Sequence, residues 1–277
     1  MLKKDIELDH VINSIENGKS SIMSSFEDLM GDLVLNANHS CRRIYSSVHS
    51  IGDALWDIET TIYRLEWQKQ LYFNGELTAS QWFIFSKADI RLFHIELRSL
   101  MDHVGLVIKN VSTSRNKPKD SFDDLRKKRV DYLQKNMISK ELFDLLDGAD
   151  WFDGVRDIRD EIVHKGVRVV SFGIKKGDPV MWAIYKGHFR NVMKISPFVI
   201  NENGVMNFER YAAYHMSRVY ALLNSFGDIL YKVTDVTRSQ RKSAARSHGG
   251  IKVLRSWMIE LRSHFQSEKG FLGDVMS

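Results

Sequence analysis

The sequence predicts a mainly α protein: an antiparallel helical bundle carrying an inserted antiparallel β segment. Three observations carry that expectation. Apolar residues recur at spacings of three and four through several long stretches. Only three prolines, Pro118, Pro179 and Pro197, occur in 277 residues, and a chain so poor in the residue that breaks helices leans helical. Between about 167 and 208 the period changes from helical to alternating.

The elements follow in order. The first forty residues read as two short amphipathic helices, about 4–17 and 20–36, forming an N-terminal extension (1–40) with a boundary between Asn36 and Cys41. From Arg43 to about Tyr72, Ile44, Val48, Ile51, Leu55, Ile58, Ile62 and Leu65 mark one face of a long helix, and Phe73-Asn74-Gly75 stops it. A second long helix spans about 79–109, with Trp82, Phe85, Ile90, Phe93, Leu97, Leu100, Val104 and Val107 inward. VSTSRNKPKDS (111–121) is a polar loop. Phe122 to Lys135 reads as a basic helix and Glu141 to Leu146 as a short one. A further helix runs from about Trp151 to Lys165, with Asp150 as its N-cap and Asp153 supporting the start. VRVVSFGI (167–174) and VMWAIYKG (180–187) are strand-like and joined by KKGDP. VMKISPFVI (192–200) and VMNF (205–208) flank NENG, a second hairpin signal. Helical spacing returns over 209–233, with Met216, Val219, Leu223, Phe226 and Leu230 inward. The stretch 41–235 thus forms the bundle, and 236–277 is a basic tail ending in a helix from about 251 to 266.

Composition excludes several classes. With Cys41 as the sole cysteine, neither an intramolecular disulfide nor a cysteine-based zinc site can form. The charged N-terminus MLKKDIELDHVINSIENG lacks a signal-peptide core, and no apolar run reaches 18 residues. Those features predict a cytoplasmic protein with no membrane contact. The net charge of +5 mildly favours anionic partners. No HExxH, GxxxxGK[ST] or GxGxxG occurs, and Ser/His/Asp chemistry has no motif; neither a metal nor a cofactor is expected.

RDIRDEIVHKGVRVV (156–170) holds the chemistry. On a helical wheel Trp151, Val155, Ile158 and Ile162 fall within about 40° of one line, the core face. Asp160 and His164 point away from it, four residues apart and able to hydrogen-bond. Arg156 reaches Asp160 by the same spacing. Phe152, Arg159 and Val163 lie on one flank, and Phe152 with Val163 reads as a second apolar strip, open to another chain. Read from spacing alone, the polar groups are either a solvated helix end or a phosphate-handling set.

Arg159-Asp160-Glu161-Ile162-Val163-His164 resembles the motif of the HEPN superfamily: an arginine, a polar residue, three variable residues and a histidine. Its position late in a helical bundle is similar too. Arg98-Ser99-Leu100-Met101-Asp102-His103 resembles the helix that packs near that motif in several HEPN groups. The likeness covers about 43–235. Asp160 stands where Asn is commoner, and the β segment at 167–208 departs from the pattern. The resemblance implies a metal-independent endoribonuclease, acting in defence or as a toxin, in which the 2′-OH attacks the adjacent phosphate to leave a 2′,3′-cyclic phosphate. It implies proton transfer by His164, phosphate binding by Arg159 and support of the histidine by Asp160. One motif supplies one histidine, so a homodimer is implied, with a cleft lined by two motifs.

Arg98, Asp102, His103 and Arg156 are candidates to line that cleft, and for Asp102 a structural ion pair is the competing reading. Arg126, Lys127, Lys128, Arg129, Lys165 and the tail residues Arg238, Arg241, Lys242, Arg246, Lys252, Arg255 and Arg262 are candidates for RNA backbone, or else solvated faces. Besides RNA and a second copy, an inhibitor or sensor protein is a candidate partner. The alternative function is a non-catalytic HEPN-like module that binds a protein or nucleotide through the same groove.

Overall fold

Long amphipathic stretches can hide their apolar faces only against one another, and this decides the architecture. In a computed structural model the described residues are 23–35, 39–112, 114–172, 175–184, 204–234, 236–239 and 249–275. Among them are α1 (Ser24–Leu35), α2 (His39–Phe73), α3 (Ala79–Val111), α4 (Phe122–Lys127), α5 (Arg129–Gln134), α6 (Lys140–Asp147) and α7 (Phe152–Val163), then β1 (Val169–Ser171), β2 (Met181–Ile184), β3 (Met206–Asn207), α8 (Phe208–Val233) and α9 (Gly249–Val275). The protein is mainly helical with a small antiparallel sheet. The expected helix at 4–17 and the expected strand at 192–200 lie outside the described residues.

Helices α2 and α3 form an antiparallel hairpin, the most extensive helix pairing among the described residues. At the turn, Gly75 takes a left-handed φ of 77°, and the amides of Glu76 and Leu77 fold back onto the Leu71 carbonyl. Thr78 and Gln81 then form a capping box that starts α3. Every apolar residue expected inward on α2, from Ile44 to Leu65, is buried. On α3, Phe85 is the exception: it is exposed, as are Phe83 and Ile84.

Helix α1 lays Phe26, Leu29 and Leu33 into the same core, and α9 adds Leu254, Trp257, Met258 and Leu261. Close backbone approach needs glycine at Gly227, where a Cβ would meet the Phe26 nitrogen at 2.6 Å. Segments on both sides of 41–235 are therefore built into the bundle.

The basic helix expected over 122–135 is two short helices, α4 and α5, broken at Lys128. At the break the Arg126 carbonyl accepts both the Lys128 amide and Arg129 Nη1, the latter at 2.7 Å. The sheet has the order β1-β2-β3, both pairings antiparallel, with Val170 opposite Ala183 and Trp182 opposite Met206. The hairpin expected at KKGDP is present, with Gly177 at φ 94° and the Asp178 carboxylate accepting from the Lys175 amide. Ser171 meets Ser86 of α3 at 2.7 Å, and the Val180 amide donates to Glu209 of α8. The sheet thus rests on α3 and on the start of α8, directly after the motif helix.

Candidate functional site

Helix α7 buries Val155, Ile158 and Ile162, so Arg159 and Asp160 are turned toward solvent. Its start differs from the sequence reading. The capping position is Trp151, in helical geometry and with no side-chain cap, and Asp153 is ion-paired with Arg126. Its end is tightly wound. The amides of His164 and Lys165 both donate to the Asp160 carbonyl, at 3.0 and 3.2 Å. Gly166 takes a left-handed φ of 63°, and the Val167 amide returns to the Glu161 carbonyl at 3.0 Å. This wrap holds His164 in the last turn, beside Arg159.

Arg159 Nη1 lies 2.6 Å from His164 Nε2 and donates to Asp160 Oδ1 at 3.0 Å. A guanidinium only donates, so Nε2 accepts, and a neutral ring then carries its proton on Nδ1. Asp160 Oδ1 stands 3.8 Å from His164 Nε2, too far for a hydrogen bond. The direct Asp160–His164 hydrogen bond expected from spacing is therefore replaced: Arg159 comes between them and takes both acceptors. Exposure rises through the set, with side chains 22% accessible at Arg159, 43% at Asp160 and 66% at His164. The arginine is anchored along its stem while the imidazole is open to a ligand. Lys165 pairs with Glu161 at 2.5 Å.

Two expectations about the surroundings are corrected. Phe152 is no open strip for a second chain: it is 0% exposed, packs edge-on against Phe122, and lies under the Arg98 guanidinium at 5.3 Å. Val163 is half-buried against the core. Arg156 does not reach for Asp160. It is held by Asp123 of α4 and by Asp157, with Nη2 2.6 Å from Oδ1. Burial works against its charge, but the hydrogen bonds to Asp157 and Asp123 outweigh burial and raise its pKa. Asp123 shows the converse: burial would raise its carboxyl, yet Lys127 and Arg156 hold it below the usual range.

The other candidates are dispersed. Arg98 pairs with Asp102 at 3.0 Å, and Asp102 accepts the Phe122 amide at the start of α4. Arg98 sits over Phe152, seven residues and about 10 Å along the helix from Arg159. His103 is half-buried on α3. In the basic run, Arg126 is 7% exposed and paired with Asp153, while Lys127 and Arg129 pair with Asp123 and Asp147. Lys128 is exposed. Of the predicted residues, the fold brings Arg159, Asp160 and His164 together and leaves Arg98, Asp102, Arg156 and Arg126 in ion pairs elsewhere. Sequence spacing missed the carboxylates that occupy Arg156 and Arg126, because Asp123 and Asp153 come from other helices.

Also missed is a buried polar cluster behind the sheet. His94 Nδ1 lies 2.7 Å from the Ile90 carbonyl and Nε2 lies 3.0 Å from the Tyr211 hydroxyl. His215 packs edge-on against the same tyrosine, with ring centres 4.4 Å apart. Burial pushes His94 down to about 4 despite the Ile90 bond, and burial with the charges of His94 and Arg218 pushes His215 well down. This cluster is sealed in the core rather than offered to a ligand. No group of three or more metal-ligating side chains gathers among the described residues, and among them no helix is long and apolar enough to cross a membrane. No protein-family model, curated protein or solved structure matches this chain.

Proposed function

We propose that this chain is a metal-independent endoribonuclease of the HEPN kind, with Arg159 and His164 as its working pair. The observation that carries the reading is the 2.6 Å approach of Arg159 Nη1 to an exposed His164 Nε2 at the end of α7. A forked cation suits the nonbridging oxygens of a phosphate, and an imidazole beside it suits proton transfer at neutral pH. In the free protein the guanidinium covers Nε2. A phosphate that draws Arg159 toward itself uncovers that nitrogen next to the scissile group.

The reaction then runs as follows. A histidine takes the proton of the 2′-OH, the 2′ oxygen bonds to phosphorus, and the phosphorus–O5′ bond breaks. The leaving 5′ oxygen takes a proton from a second histidine, leaving a 2′,3′-cyclic phosphate and a 5′-OH. Arg159 offsets the charge that builds on the pentacoordinate phosphate. Each chain brings one such histidine, so base and acid come from two copies whose α7 ends face one cleft. Asp160 acts through Arg159, which it holds at 3.0 Å. The cellular setting in this reading is defence or toxicity, with an inhibitor or sensor protein as a further partner.

The test is incubation of the purified protein with RNA in EDTA, beside His164→Ala and with the mass measured by light scattering. Cleavage by a dimer, lost in the variant, supports the reading. A folded protein that binds RNA, a nucleotide or a protein but cuts nothing would favour a non-catalytic module. Cleavage by a monomer at low concentration would remove the two-copy cleft.

A further inference from the structure

A half-buried stripe on α8 carries positive charge that has no ion pair among the described residues. Arg210, Tyr214 and Arg218 recur every four residues, so they stand within about 80° of one another on the helix. The Arg218 guanidinium stacks 4.7 Å from the centre of the Tyr214 ring. Arg210 Nη1 contacts His264 Nε2 of α9 at 3.1 Å. Neither arginine has an ion pair among the described residues, and the Nε of each is buried without a hydrogen-bond partner. The neighbouring acid on α8, Glu209, is taken by Lys69 at 2.6 Å. Glu260, one turn before His264 on α9, is exposed and forms no ion pair among the described residues. The buried and half-buried arginines Arg64, Arg98, Arg126, Arg129 and Arg156 have carboxylate partners, which the half-buried Arg210 and Arg218 lack among the described residues.

We infer that Arg210, Tyr214 and Arg218, joined by His264, form a second anion site that holds the backbone of single-stranded RNA away from the motif. The two guanidiniums stand eight residues and about 12 Å apart along the helix, with an aromatic ring between them. Cations at intervals around an aromatic suit a strand whose phosphates and unstacked bases are both accessible. The stripe is also near the motif helix. Trp151, at the start of α7, lies 5.9 Å from His215, the residue after Tyr214. From Trp151 the helix carries the chain about 20 Å to His164, so one strand of RNA can run from the stripe to the motif. The choice of RNA as ligand rests on the nuclease reading above; the anion site itself does not.

Binding can be measured without cleavage by using an RNA of about 20 nucleotides methylated at every 2′ oxygen, which removes the attacking group. Anisotropy titrations across a salt series compare the parent with Arg210→Gln/Arg218→Gln and with Arg210→Lys/Arg218→Lys. The glutamine pair should weaken binding about tenfold or more, and should flatten the slope of log affinity against log salt by about 1.4, roughly 0.7 per lost phosphate contact. The lysine pair should keep most of the slope, which separates lost charge from lost folding. An unchanged slope in a folded glutamine pair, or no binding by the parent, overturns the inference. Cleavage that is indifferent to both variants would leave the nuclease reading standing without this site. Binding through the stripe with no cleavage of ordinary RNA would do the reverse.

Discussion

The buried histidine on α3 makes stability depend on pH in a calculable way. His94 is fully buried, its ring wedged among Phe93, Trp182 and Tyr211, and it titrates at about 4 when folded against 6.5 for a free imidazole. The folded pKa lies below the unfolded one, so the unfolded chain takes up the proton first. The stability this group contributes is complete above pH 6.5 and is lost as pH falls toward 4. Each pH unit of separation is worth about 1.4 kcal/mol, giving a loss of about 3 kcal/mol across that window. The perturbation is His94→Gln, which can still reach the Tyr211 hydroxyl but does not titrate. Urea unfolding at pH 7, 6, 5 and 4 should show the parent losing about 3 kcal/mol more than the variant. His215, pushed the same way by burial, contributes to both proteins. Asp89 and Glu209, whose carboxyls burial raises, add stability on acidification in both, so they largely cancel in the comparison. Parallel pH profiles for parent and variant would refute the reasoning.

Other outcomes follow from packing and ion pairs. Arg126→Met alone should destabilise by about 1–3 kcal/mol, because Asp153, in a largely buried site, loses its close cation and keeps the longer contact to Arg156 at 3.6 Å, whereas Arg126→Met/Asp153→Leu should recover much of that; urea midpoints decide. Gly227→Ala should cost about 1–3 kcal/mol, read as a lower melting temperature, since its methyl would press on the backbone of Phe26. Asp102→Ala should cost about 1 kcal/mol through the lost contact to the Phe122 amide while leaving RNA cleavage unchanged; a large loss of cleavage in folded protein would instead put Asp102 in the cleft.

The bundle was legible where one helix's own period decides burial. Ile44 to Leu65 on α2 and Met216 to Leu230 on α8 face inward as spacing predicts. Spacing failed where a neighbour decides. Phe152 sits on the flank of its own wheel, yet α4 brings Phe122 over it and α3 brings Arg98. Arg156 is four residues from Asp160 but lies against Asp123, 33 positions away in sequence. The helix over 122–135 breaks at Lys128, where Arg129 turns back onto the Arg126 carbonyl, a contact that composition does not reveal. At the site, the residues of the motif were legible as a set, but their order was not: spacing put Asp160 against His164, and the fold puts Arg159 between them. His94 and His215 come from different helices, and neither helix's own period shows that both close on Tyr211.

The central claim is tested most directly by the ends of the RNA products. RNA is incubated with the parent, Arg159→Ala, Asp160→Asn and His164→Ala proteins in EDTA, and the fragments are analysed by mass spectrometry. The parent should leave 2′,3′-cyclic phosphate and 5′-OH ends. Removing Arg159 or His164 should slow cleavage by about 100-fold or more, with melting temperatures little changed because neither residue is in the core, and removing the Asp160 carboxylate should cost less. Activity that disappears in EDTA and returns with Mg²⁺, or a His164→Ala protein that cuts as well as the parent, would contradict the account.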